Sequence, residues 1–342
     1  MWRNDMINND QSILKYIESN NFWNIWVRKE QGGRECTLPV GLKILENLAY
    51  QNGSLGWLVT LVSGANYFLG FIDPRLVKEI TAVPGFCLGG SGKVADKAVK
   101  TDNGYLISGE WQYATGAPFL THFTLNAKVY DHDGAPVLNS DGTPLYKSFV
   151  VSSDFVEMID SWNAMGMEKT FTKNYRLSNV FVPGYAAFEI SPQKINSGYL
   201  IHRFAFNSFA AFTLAINYIG MFRRFLVEIN KIVSAKTANQ KWNEMYGDDF
   251  TTYYIDVRSK FTILANSFQE ITDRFWQYVE ADIDVQPLEK EVYDLGKHIT
   301  RLISHHLNPL SRYGGLSAAQ KDAPVNIVYR DLTTALQHTF FL

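Results

Sequence analysis

Cysteine is scarce in this chain. Cys36 and Cys87 are the two in 342 residues, too few and too far apart for a disulfide framework or a zinc site. Two reduced, mostly buried thiols in a cytoplasmic setting are expected. Basic runs are missing too, and 32 Lys+Arg against 34 Asp+Glu leave a net charge of −2. Such a balance offers no electrostatic footprint for nucleic acid or an anionic membrane, so neither partner is expected. Met1-Trp-Arg-Asn-Asp5 has none of the apolar core of a secretory signal. The longest apolar stretch, around Phe204 to Phe222, is broken by Asn207, Ser208 and Asn217, and reads as a buried core helix instead of a membrane span. His298, His305 and His306 have no carboxylate at metal-ligand spacing, so no metal site is expected. There is no G-x-S-x-G elbow. Gly89-Gly-Ser-Gly-Lys-Val-Ala95 falls short of a phosphate loop, which needs G-x-x-x-x-G-K-S/T.

What is present describes an ordinary globular protein, 46% hydrophobic and 19% charged, with a somewhat generous 14% of aromatics. Its length predicts two or three layers or subdomains. Apolar residues recur at three- and four-residue spacing in Ile13, Leu14, Ile17, then in Leu42, Leu45, Leu48 and in Leu58, Leu61, Val62. Residues 1–84 therefore read as a helical domain. From 85 to 195 alternation and Gly-rich turns such as Asp131-His-Asp-Gly134 predict a β domain. Long helical periodicity returns at 196–342, with a closing helix near Val325. The fold class is α+β, with a β domain, barrel or sandwich, held between two helical ones.

The most informative stretch is Gly104-Tyr-Leu-Ile-Ser-Gly-Glu-Trp-Gln-Tyr-Ala-Thr-Gly116. Its alternation predicts a hairpin that bends at Gly109, with Trp111 and Tyr113 sharing one face. The second strand ends at Thr115-Gly116, where a hydroxyl and a backbone N–H are expected with little cover. An aromatic wall ending in donors suits a flat heteroaromatic ligand, stacked and bonded at its edge. A core hairpin without a ligand is the alternative.

Three further segments extend this reading. Asp160-Ser-Trp-Asn-Ala-Met-Gly-Met-Glu-Lys-Thr-Phe-Thr, continuing to Val180-Phe-Val-Pro183, resembles the W-x-x-x-G-x-x-x-T-x-S/T…V-F-V-P strand pair of the acyl-CoA dehydrogenase superfamily. Val328-Tyr-Arg-Asp-Leu-Thr-Thr-Ala-Leu-Gln-His338 resembles the R-D-x-x-x-A-x-x-H ending of its flavin-dependent monooxygenase branch, related to the oxygenase component of hydroxyphenylacetate hydroxylase. Leu48-Ala-Tyr-Gln-Asn-Gly-Ser-Leu-Gly-Trp57 is similar to that branch's A-x-x-D-x-S-x-x-W helix.

The resemblance implies the superfamily's architecture, with a flavin between the β domain and the C-terminal helical bundle. It implies reduced FMN or FAD from a separate flavin reductase, molecular oxygen, and hydroxylation of a small aromatic or related substrate. It also implies a homodimer or homotetramer. Thr115 matches the residue that bonds the flavin N5 edge and stabilises the oxygenated ring, with Gly116 beside it. Tyr113 and Trp162 would wall the site, and Thr170 and Thr172 would face the ring or the substrate. Gly314-Gly315 would approach a neighbouring subunit's flavin, or simply cap a helix. Arg330 and Asp331 would form an ion pair under the site. His338 would act beside oxygen and substrate.

The family's acyl-CoA dehydrogenases place a catalytic carboxylate either near His338 or near His202-Arg203, and neither place holds one here. A thioester dehydrogenase or oxidase would thus need another base. Ser234 to Gly247 contains lysines but no arginine, where relatives grip the flavin phosphates. That departure, with the early stop at Leu342, favours a third reading, a degenerate member that serves as a binding protein.

Overall fold

The computed structural model describes residues 10–342, so Met1–Asp5 lies outside the described residues. The chain packs as two compact units. Unit 1 takes residues up to 36 with 61–163 and 169–205; unit 2 takes 37–60, 164–168 and 206–342.

Four helices open the chain: α1 (Asp10–Ser19), α2 (Leu38–Gln51), α3 (Gly53–Asn66) and α4 (Pro74–Thr81). α2 and α3 are separated at Asn52, whose backbone is extended at φ −158. The Asn52 side chain then accepts the Leu55 N–H at 2.9 Å and starts α3. Asp73 caps α4 by accepting the Arg75 N–H at 2.9 Å, with Pro74 in the first helical position.

Unit 1 holds a single sheet of seven strands: β1 (Leu88–Thr101), β2 (Gly104–Ala114), β3 (His122–Tyr130), β4 (Tyr146–Ser152), β5 (Glu157–Ile159), β6 (Lys173–Pro183) and β7 (Ala187–Phe188). Their order is β5-β6-β2-β1-β3-β4-β7. β1 and β3 run parallel and the other pairs antiparallel. Trp111 and Tyr175 face each other across β2 and β6, fully buried, with rings stacked at 5.6 Å. Each polar tip finds a carbonyl, Trp111 Nε1 on Asn126 at 2.9 Å and Tyr175 Oη on Thr124 at 2.8 Å. The Gly-rich stretch at 89–95 lies on β1. Gly90 stands at a register break with φ 157, where a Cβ would meet the Thr124 carbonyl oxygen at 1.8 Å.

Unit 2 is helical: α2 with α5 (Phe206–Lys236), α6 (Gln240–Glu280), α7 (Gln286–Ala319) and α8 (Pro324–Ala335). By length and composition α5 could cross a membrane, but 78% of its apolar window is buried inside the protein. Two of its buried polar side chains bond inside the protein. Asn217 Nδ2 donates to Thr60 Oγ1, and Thr213 Oγ1 donates to the Phe209 carbonyl at 3.0 Å. Phe212 meets Phe275 at 5.0 Å and Phe222 meets Phe261 at 4.9 Å, which locks α5 to α6. Truncating one such ring costs about 3–5 kcal/mol. Gly220 lets α5 approach α2, since a Cβ there would lie 2.5 Å from the Glu46 carbonyl oxygen.

Candidate functional site

β2 does not bend at Gly109. It runs unbroken from Gly104 to Ala114, paired with β1 on one side and β6 on the other. Glycine is needed there for room: a Cβ would sit 2.7 Å from the Asp96 Cβ and 2.8 Å from the Trp111 ring. The pairing with β6 slips twice without breaking the strand, between Ile107 and Gly109 and again between Trp111 and Ala114. Tyr113 adopts φ 68 in that bulge, its N–H held by Asn174 Oδ1 at 3.2 Å. The shared face expected for Trp111 and Tyr113 is therefore lost. Trp111 is buried, whereas Tyr113 is 60% exposed and meets the Trp162 ring edge-on at 5.9 Å. Trp162 is half-buried and lies on the loop after β5.

Thr115 is buried, contrary to the expected open hydroxyl. Its Oγ1 shares a hydrogen bond with Thr172 Oγ1 at 3.3 Å, which in turn shares one with Thr170 Oγ1 at 2.8 Å. The Gly116 N–H, expected to be available, donates to the Thr170 carbonyl at 2.9 Å. A buried hydroxyl line near exposed Tyr113 and half-buried Trp162 can bond the edge of a flat ring and cover it.

Within unit 2 the remaining motifs converge on α8. Gly166 abuts the α8 backbone, where a Cβ would lie 2.2 Å from the Arg330 carbonyl oxygen. Its N–H donates to Thr334 Oγ1 at 2.9 Å, and the Met167 N–H donates to Asp331 Oδ1 at 2.6 Å. Arg330 and Asp331 form no ion pair with each other among the described residues. Arg330 binds Glu168, the Met165 carbonyl at 2.9 Å and Asn326 Oδ1 at 3.0 Å. Burial raises the Asp331 pKa to about 6, against the opposing pull of the Met167 and Ser54 backbone amides. Gly53 packs on this carboxyl, a Cβ there meeting Asp331 Oδ2 at 2.8 Å. Trp57 lies edge-on to His338 at 5.9 Å.

His338 is exposed at its outer edge, and its Nδ1 accepts the Phe340 N–H at 3.4 Å. Partial burial lowers its pKa below the ordinary histidine value, so the neutral ring prevails at pH 7. Gly314 and Gly315 do not cap a helix; α7 kinks at Gly315 (φ 55) and resumes to Ala319. Gly314 is a packing position, where a Cβ would lie 2.5 Å from the Ala318 Cβ. Lys236 Nζ donates to the Tyr313 carbonyl at 3.1 Å and lies over Trp242 at 5.7 Å. His306 Nδ1 is bonded to Tyr253 Oη at 2.7 Å. Sequence reasoning missed Asn174 and Thr334, since only the fold places them beside Tyr113 and Gly166.

No protein-family model matches the chain. Over 97% of its length it is 23% identical to a pigment production hydroxylase of a Rhodococcus species, covering 85% of that protein. Over 50% of its length it is 26% identical to the oxygenase subunit HsaA, a flavin-dependent monooxygenase of Mycobacterium tuberculosis, covering 41% of it. Among solved structures, XiaF from Streptomyces, in complex with FADH2 and glycerol, superposes with a TM-score of 0.81 at 20% identity, over 96% of this chain and 86% of that one. Butyryl-CoA dehydrogenase from Megasphaera elsdenii superposes with a TM-score of 0.71 at 10% identity, with the same coverage. The chain has the acyl-CoA dehydrogenase-like fold of these solved structures, the fold expected from the collinear motifs. In this chain both carboxylate positions noted above hold histidine, His338 and His202. The buried carboxyl of Asp331 in unit 2 accepts the Met167 amide N–H.

Proposed function

We propose that this protein is the oxygenase of a two-component flavin-dependent monooxygenase acting on a small aromatic or related substrate. The observation that carries the reading is the Thr115–Thr172–Thr170 hydroxyl line, buried in unit 1 near the exposed Tyr113 and the half-buried Trp162. That donor set fits an isoalloxazine: a hydroxyl for the N5 edge and aromatic rings for cover. Bound reduced FMN or FAD supplies two electrons, which with O2 convert R–H to R–OH and water. Thr115 holds the ring edge, Gly116 ties its strand end to Thr170, and Tyr113 and Trp162 exclude water from the ring. Thr170 and Thr172 keep the Thr115 hydroxyl oriented, and neutral His338 accepts a proton from the substrate. The flavin comes from a separate reductase. A homodimer or homotetramer in the cytoplasm belongs to the same proposal; Leu316, beside Gly314-Gly315, is 82% exposed and available to a neighbouring subunit.

The test supplies anaerobic protein with reduced FMN or FAD and an aromatic substrate, then 18O2. One labelled oxygen in the product, lost in Thr115→Ala, is the expected result. Tight binding of oxidised FAD with thioester oxidation and no labelled product would replace this reading with the dehydrogenase one. Failure to bind any flavin would leave the binding-protein reading.

A further inference from the structure

Unit 1 contains a cavity that shares no residue with the threonine line. Its volume is about 410 Å³, and Trp26, Leu69 and Val77 supply apolar wall. Arg28, Lys78 and His202 supply its chemistry.

His202 is 4% exposed. Gly70 makes room for its ring, because a Cβ there would lie 2.4–2.6 Å from three imidazole atoms. Tyr67, Phe71 and Tyr199 close around it at 4.7, 5.5 and 5.6 Å. Nε2 stands 2.9 Å from the Tyr67 carbonyl oxygen. A carbonyl only accepts, so Nε2 carries the proton. Burial pushes the imidazole pKa down to about 4, and the ring is neutral at pH 7. Nδ1 is then a bare lone pair, buried and without a hydrogen-bond partner. Such an acceptor calls for a donor brought by something else.

The charged groups indicate the rest of that molecule. Arg28 Nε is likewise buried without a partner, while Nη1 of the same guanidinium pairs with Glu30 at 2.7 Å. Lys78 adds a second cation to the lining, against the single anion Glu30. The cavity thus combines one neutral acceptor, an excess of positive charge and a flat apolar wall.

We propose that this cavity binds a small hydroxy-carboxylic acid, its hydroxyl donating to His202 Nδ1 and its carboxylate held by Arg28 and Lys78. A phenol is the best donor for a neutral imidazole, and Trp26 offers a ring-sized wall, so aromatic hydroxy acids fit better than aliphatic ones. The site is separate from the oxygenase reading and does not depend on it.

The test titrates 4-hydroxybenzoate, benzoate and 4-hydroxybenzyl alcohol into the full chain, following heat and the His202 Nδ1 resonance of 15N-histidine-labelled protein. Saturable binding of 4-hydroxybenzoate that shifts the Nδ1 resonance is expected. Benzoate, without the hydroxyl, and the alcohol, without the carboxylate, should each bind about tenfold more weakly. Arg28→Ala and His202→Phe should each weaken 4-hydroxybenzoate by about tenfold or more, and Thr115→Ala should leave it unchanged. Arg28 is partly exposed, so Arg28→Ala remains informative if His202→Phe fails to fold. No saturable binding, or binding unchanged in Arg28→Ala with no Nδ1 shift, overturns the proposal.

Discussion

Unit 1 keeps a neutral imidazole in its interior and unit 2 keeps a carboxyl, and the two respond to pH in opposite directions. His202 has a folded pKa of about 4 against an unfolded value near 6.5. Between those values the unfolded chain binds more protons, so its contribution is complete above about pH 6.5 and is lost as pH falls toward 4. Asp331 has a folded pKa of about 6 against an unfolded value near 3.9. Here the folded chain binds more protons, so stability declines as pH rises from about 4 to 6. Each window is worth about 3 kcal/mol by the shift alone. The lesson is that both units bury a titratable group at similar cost while the two contributions largely offset each other between pH 4 and 6.

The largest expected effect concerns unit 2 alone. Gly166→Ala drives a Cβ into the Arg330 carbonyl, a backbone group with nowhere to go. We expect a loss of about 4 kcal/mol in urea denaturation, with the Met167–Asp331 bond lost alongside. Next come the two buried groups. His202→Phe should leave a protein whose stability falls by about 3 kcal/mol from pH 4 to 6, and Asp331→Asn one whose stability rises by a similar amount. Parallel pH profiles for the two variants would refute the opposition between units.

Kinetic effects sharpen the comparison in another way. Thr115→Ala in unit 1 should reduce turnover about 10²-fold with little change in melting temperature, since it removes a positioned donor. His338→Asn in unit 2 should lower turnover to a similar degree. It should also abolish a limb in the pH–rate profile below pH 6.5, because His338 titrates below its ordinary value. The smallest effect is expected at Gly134 in unit 1. This turn glycine has φ 81 and open space around it, so Gly134→Ala should cost about 1 kcal/mol through backbone strain alone.

Much of this was legible in the sequence. Helical periodicity located α5, α6 and α7, and Pro324 marked the start of α8, because each depends on neighbours three or four residues apart. The collinear motifs pointed to the fold that the solved structures share, with Thr115 expected at the ring edge and Thr170 and Thr172 facing the ring or the substrate. What failed were inferences about local shape. Gly109 looks like a bend and is a space-saver; Tyr113 looks like the partner of Trp111 and is turned away by a bulge.

The sequence by itself therefore determined the element types and the fold class, since composition, periodicity and motif spacing are properties of the chain. Only the tertiary structure decided that Gly166 must be bare and that Arg330 and Asp331 hold the 165–168 segment and not each other. It alone left His202 Nδ1 unpartnered in a cavity. Those outcomes rest on contacts between residues more than a hundred positions apart, as in Met167 with Asp331 and Tyr67 with His202. Local pattern carries no record of such pairs, because a side chain's burial and partners are fixed only when distant segments pack.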